Sequence, residues 1–95
     1  MRFFLPLSFF LPPTPGMWLP SRQVRLAHGQ LLRVEQARGW RVSCLEGTLL
    51  ISQPGQWHEN ELRPGEEITL GASGRILIEG RSRQGSLVML VERHT

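Results

Sequence analysis

The stretch PGQWHENEL, residues 54–62, gathers the side chains best suited to chemistry: Trp57, His58, Glu59 and Glu61 behind a Pro-Gly pair. A histidine beside carboxylates can ligate a metal or move a proton, and an exposed tryptophan can stack on a sugar or a base. Each use needs partners. A metal needs three or four donors converging within about 2.0–2.3 Å, and His28, His58 and His94 offer no pair spaced one or four residues apart. Acid/base work by paired carboxylates needs two carboxyls in different environments at a defined separation. Nothing near Glu59 with Glu61, or Glu66 with Glu67, marks a substrate pocket. Ser43, Ser52, Ser73, Ser82 and Ser86 lack an adjacent histidine, and no Gly-rich phosphate loop occurs. The sequence therefore assigns no catalytic residue, no metal ligand and no cofactor.

What remains is a candidate ligand-binding set: Trp57, His58 and Glu59, with Arg81 and Arg83 of GRSRQG able to clamp an anion. The plainer expectation is that PGQWHENEL is a loop without strand pattern. His58 is then exposed, and Trp57 plugs the end of the fold. Glu59 hydrogen-bonds the amides of the turn that follows. That turn is RPGE, residues 63–66, where Pro64 presets φ and Gly65 takes the conformation other residues avoid.

The elements around this stretch read as β. From residue 22 onward no 3.6-residue period is sustained. Short apolar/polar alternations are broken by glycine every eight to twelve residues, which is the mark of a sandwich or barrel. QVRLA, QLLRVEQ and WRVSCL alternate; Glu46-Gly47 marks a tight hairpin turn into TLLIS; EEITL, RILIE and SLVMLVER follow. This predicts about seven short antiparallel strands and no substantial helix. A barrel is the economical way for so short a chain to hide its strand edges.

Three strands are apolar on both faces. Leu49, Ile51, Ile76, Ile78, Leu87, Met89 and Val91 are expected on one side, and Leu50, Leu77, Val88 and Leu90 on the other. Only one set fits inside so small a barrel. The other calls for a cover, either a second copy in a homodimer or the N-terminal segment with Phe9, Phe10 and Leu11.

The 95 residues allow one domain with one core and little room for a deep cleft. Residues 1–20 hold five of the seven prolines and read as a Pro-rich apolar leader, flexible or a misassigned start, with a docked tail as the alternative. Residues 21–95 form the folded domain. The leader is too short for a membrane span and Pro6 interrupts it. A secretory signal has a basic start and an apolar stretch in its favour here, but lacks a small-residue cleavage site. The chain is accordingly assigned to the cytoplasm. Every basic residue is Arg and every acidic one Glu. The net charge of +3 is scattered rather than gathered in a run, which argues against a specific nucleic-acid partner. Cys44, the only cysteine, alternates with Val42 and reads as a small buried hydrophobe.

Residues 45–78 resemble a family of small bacterial proteins with a cupin-like barrel, the domain of unknown function family twenty-nine-seventeen. Gly47 matches its hairpin glycine, and Ser52 stands at its strand-ending threonine. Glu59 takes its acidic position, Leu62 its leucine, and Gly65-Glu66 its Gly-Glu pair. ITLGASGRILI matches its next hairpin, and the family's tryptophan is Leu50 here. The resemblance implies a small cupin-like, jelly-roll type barrel and no particular activity. Metal-binding cupins carry a His-x-His motif that is absent here, although Gly55 and His58 echo part of the second motif. The leading expectation is a non-enzymatic binding or interaction module. The alternative is a small-ligand-binding or catalytic cupin whose mouth lies near Trp57, His58 and Glu59. An apolar, plugged interior favours the first, and converging inward polar groups favour the second.

Overall fold

The alternating segments form strands in a computed structural model that describes residues 2–3 and 21–92. They are β1 (Arg2–Phe3), β2 (Ser21–Leu26), β3 (Leu31–Glu35), β4 (Arg41–Glu46), β5 (Leu49–Ser52), β6 (Asn60–Leu62), β7 (Glu67–Thr69), β8 (Arg75–Gly80) and β9 (Ser86–Val91). All pairings are antiparallel. One sheet has the order β1-β3-β8-β5-β6, and the other β2-β9-β4-β7. No helix occurs among the described residues.

The two sheets face each other across a single apolar interior. Period-two strands point alternate side chains inward. Val24 and Leu26, Leu32 and Val34, Val42 and Cys44, Leu49 and Ile51, Ile76 and Ile78, and Val88 and Leu90 are all at most 3% exposed. Within each sheet these residues meet across strands, as in Val34↔Ile76, Leu32↔Ile78, Ile51↔Ile78, Val42↔Leu90 and Val24↔Val88. Each such burial contributes about 1.5–3 kcal/mol before conformational entropy is counted.

The connections differ from the local reading. Of the links between consecutive strands from β2 onward, β5–β6 alone joins two strands that pair, and every other one crosses from one sheet to the other. Glu46-Gly47 is therefore not a hairpin, because β4 and β5 lie in opposite sheets. Gly47 does sit at φ +73°, and a Cβ there would lie 2.5 Å from the Gly85 carbonyl oxygen. The RPGE turn likewise carries the chain from β6 to β7, in the facing sheet. Gly65 has φ +89°, its N–H donates to the Cys44 carbonyl at 2.8 Å, and the Glu66 N–H donates to the Arg63 carbonyl at 3.0 Å.

Two further expectations are corrected. PGQWHENEL is not all loop, since Asn60–Leu62 forms β6 against β5. The facing of β9 is the reverse of that expected: Val88 and Leu90 point inward, while Leu87, Met89 and Val91 point outward. An unbroken apolar run carries no phase of its own. The phase is set by Ser86, fully buried at the start of β9, whose hydroxyl donates to the Thr48 carbonyl at 2.7 Å and accepts from the Thr48 N–H at 3.3 Å.

The outward residues of β9 are half-buried. Arg25 on β2 and Glu46 on β4 both pair with Leu87 in register, and their side chains meet at 3.3 Å, so the ion pair arches over that leucine. The backbone of Arg2–Phe3 forms an edge strand on β3, with Arg2↔Glu35 and Phe3↔Val34. Residues 4–20, which include the leader boundary and Phe9, Phe10 and Leu11, lie outside the described residues, as does His94.

Candidate functional site

Among the described residues the middle of the barrel holds no polar centre. Besides the aliphatic residues it holds Ala37, Trp40, Leu62 and Leu70. The buried polar residues, Ser43 on the outer face of β4 excepted, sit towards the ends and are engaged there. Ser86 binds the Thr48 backbone. Gln53 Oε1 accepts from the Gly71 and Ala72 N–H groups at 3.1 and 3.3 Å. The Arg22 guanidinium lies 6.0 Å from the Trp40 ring centroid and 3.6 Å from Glu92 Oε2. Arg22 is in phase with Val24 and Leu26, so the alternation that placed those two inside also placed Arg22 there. Ser43, outward on β4, donates to Glu67 at 3.1 Å. The Cys44 thiol is fully buried, and its Sγ lies 3.3 Å from the Gly47 carbonyl. Burial, then the negative charge of Glu66, push its pKa up against the opposing Glu46 backbone hydrogen bond, which makes it a poor nucleophile.

The β5–β6 loop projects from the end of the barrel that holds Trp40 and the 70–74 segment. Its base is pinned. Pro54 and Gly55 form a turn closed by the Gln56 N–H on the Gln53 carbonyl at 3.2 Å, with Gly55 at φ +80°. Gln53 ties that turn to Gly71 and Ala72. Glu59 does not bind the amides of the following turn. It accepts from the Ser52 hydroxyl at 2.9 Å, and Glu66 takes the amide, accepting from the Arg63 N–H at 2.7 Å. Beyond the pinned base, Trp57 is 101% exposed and His58 is exposed beside it. Trp57 therefore does not plug the barrel, whereas Trp40, 5% exposed, packs inside.

Arg81 and Arg83 lie at the opposite end. β8 begins at Arg75, close to the β5–β6 loop, and ends at Gly80, where Arg81 N–H donates to the Thr48 carbonyl at 2.9 Å and Gly29 N–H to the Gly80 carbonyl at 2.7 Å. Six residues of strand separate the ends by about 20 Å. The structure thus joins Trp57, His58 and Glu59 in one loop and keeps Arg81 and Arg83 apart from them. Arg81 Nη1 meets Glu79 at 3.4 Å, and Arg83 is exposed.

No protein-family model matches this sequence, and a search of curated proteins finds no match. Solved structures do match it. The cupin-2 domain of an XRE family transcriptional regulator from Enterobacter cloacae superposes with a TM-score of 0.63 at 15% identity, over 79% of this chain and 81% of that chain. The cupin domain of CENP-C from Drosophila melanogaster gives 0.65 at 16% identity, over 85% of this chain and 65% of that one. The chain has a cupin fold. A protein of unknown function from Rhizobium leguminosarum is also similar, with a TM-score of 0.63 at 25% identity over 80% of this chain and 71% of that one.

The two described histidines, His28 and His58, do not fit a metal centre inside the barrel. His58 is exposed on the β5–β6 loop, and His28 is exposed in the β2–β3 turn at the other end. Among the described residues no three His, Cys, Asp or Glu side chains converge. No helix among the described residues is long and apolar enough to cross a membrane.

Proposed function

We propose that this cupin is a non-enzymatic interaction module that acts through its outer surface and as a homodimer. One observation carries the reading: the interior, where a ligand would be enclosed, is filled by aliphatic side chains and Trp40. The outward row Leu87, Met89 and Val91 supports a surface role. Membership of the bacterial family of unknown function, and a cytoplasmic setting, belong to the same proposal. The positions shared with that family support it by their roles here: Ser52 and Glu59 hydrogen-bond each other, Gly47 packs on Gly85, and Glu66 closes the turn that Gly65 permits.

Native mass spectrometry of the purified full chain tests the reading. The expected spectrum shows bare protein, with dimers in equilibrium with monomers. A stoichiometric small molecule or metal, lost in His58→Ala or Glu59→Ala, would overturn it.

The exposure of Trp57 on a pinned loop favours a second reading, in which the indole, His58 and Glu59 hold a flat polar ligand such as a saccharide. Tryptophan fluorescence quenched by members of a saccharide panel, and no longer quenched in Trp57→Ala, would establish it. Arg81 and Arg83 would then form a separate anion clamp at the other end.

A further inference from the structure

We infer that the homodimer forms through the outer face of the β2-β9-β4-β7 sheet, with its two-fold axis parallel to β9. This rests on the self-association reading above and adds a surface and a register to it. Leu87, Met89 and Val91 form one apolar line down β9, and β9 is flanked on both sides. A bulge between Cys44 and Glu46 leaves Leu45 and Glu46 both exposed at one end of that line. β2, β9 and β4, each six residues long at about 3.3 Å per residue and about 4.8 Å apart, make a face about 20 Å long and about 15 Å wide, with the three-residue β7 at its margin. At about 300 Å² per copy this is smaller than a stable specific interface, so weak association, populated only at high concentration, is expected.

The flanking residues select the occupant. In register across the sheet, Leu87 has Arg25 on one side and Glu46 on the other. Met89 has Gln23 and Ser43, and Val91 has Ser21 and Arg41. Rotation about an axis parallel to β9 lays each row on its own copy with the sides exchanged. Arg25 then meets Glu46 of the second copy, Gln23 meets Ser43, and Ser21 meets Arg41. Leu87, Met89 and Val91 each meet themselves. The Arg25–Glu46 pair, 3.3 Å apart and more than half exposed within one copy, becomes an alternating quartet of charges around the Leu87 contact. A two-fold axis across the strands would instead set Glu67 of β7 against its own copy, because Glu67 lies in the Met89 row. Opposite charges exchanged by symmetry make this face complementary to itself, which is the requirement of an isologous interface.

The test uses Arg25→Glu and Glu46→Arg in the full chain, separately and mixed, by sedimentation equilibrium. Each variant alone sets like charges against each other at both symmetric contacts, and each should weaken dimerisation by at least about tenfold. In an equimolar mixture an Arg25→Glu copy faces a Glu46→Arg copy with opposite charges at both contacts, so heterodimers should form near the wild-type affinity. Rescue on mixing cannot come from the pair within one copy, and it shows that both variants are folded. Wild-type dimers with variants unchanged would overturn this face but leave self-association standing. Weakened variants without rescue would overturn the register. A wild-type chain that stays monomeric at high micromolar concentration would overturn self-association and this face together.

Discussion

The two outer faces of the barrel carry similar numbers of apolar side chains in different arrangements. On the β1-β3-β8-β5-β6 sheet, Leu31, Leu50 and Leu77 sit on three different strands with charge between them. One row reads Leu31, Glu79, Leu50, Glu61, and the next Arg33, Leu77, Ser52. Glu35 and Arg75 close that face with an ion pair at 3.5 Å. On the other sheet the apolar residues follow one another down a single central strand, and charge is pushed to the flanks. Interspersed leucines cannot merge into a patch that excludes water, whereas a line of them can. Arrangement, not amount, distinguishes the two faces.

The largest expected effect breaks the frame both faces share. Gly47→Val should cost about 3 kcal/mol or more, because φ +73° strains a β-branched residue and its Cβ would enter the Gly85–Ser86 backbone. Ile78→Ala should cost about 2–5 kcal/mol by leaving a cavity, while Leu77→Ala, one residue along on the outer face, should stay below about 1 kcal/mol. Denaturant midpoints at equal slope check all three. Equal losses at 77 and 78 would mean that β8 has been placed in the wrong phase.

Charge placed at the centre of each face sharpens the comparison. Met89→Glu should abolish self-association, and Leu77→Glu should leave it unchanged, by size-exclusion chromatography with light scattering. The reverse pattern would move the interface to the other sheet. A smaller effect separates the two Pro-Gly turns. Gly65→Val should lose about 1–3 kcal/mol from backbone strain alone, since the space around it is open, whereas His58→Ala should stay within about 0.5 kcal/mol. Thermal melts of the pair suffice; matching midpoints would contradict the turn geometry.

The smallest effect is alkaline. The raised pKa of buried Cys44 means that the unfolded thiol ionises first, so its contribution is intact below the ordinary thiol value and is lost as pH rises through the folded one. Stability of the wild type should therefore fall above about pH 9, and Cys44→Val should flatten that limb. An unchanged alkaline slope in the variant would show that the thiol does not couple to folding.

Much of this architecture is legible one residue at a time. Alternation in QVRL, LLRV and RVSC places Val24, Leu26, Leu32, Val34, Val42 and Cys44 inside, and Gly before or within the turns marks where strands stop. The same alternation contains the inward position of Arg22, although its charge argues for solvent. SLVMLV carries no phase, because every residue after Ser86 is apolar, and the local reading fails there. The rim is half legible: Trp57, His58 and Glu59 do share one loop, but nothing local shows that Arg81 and Arg83 stand at the far end of β8.

Side-chain period and turn chemistry are properties of a few adjacent residues, and they follow from backbone geometry wherever the segment ends up. Which sheet a strand joins is not such a property. QVRLAHGQLLRVE and SCLEGTLLIS look like hairpins because a glycine turn between alternating runs is all a hairpin shows locally. In the folded chain β2 and β3, like β4 and β5, lie in facing sheets, and β9 pairs with β2 from the far end of the domain. Those pairings arise because strands with one apolar side must bury it against another layer. The partner that closes the interior is the one whose length, register and polar stops fit, such as Ser86 on Thr48 and Gln53 on Gly71. The line of Leu87, Met89 and Val91 faces outward because Ser86 fixes the phase of β9 and Val88 and Leu90 fill the interior.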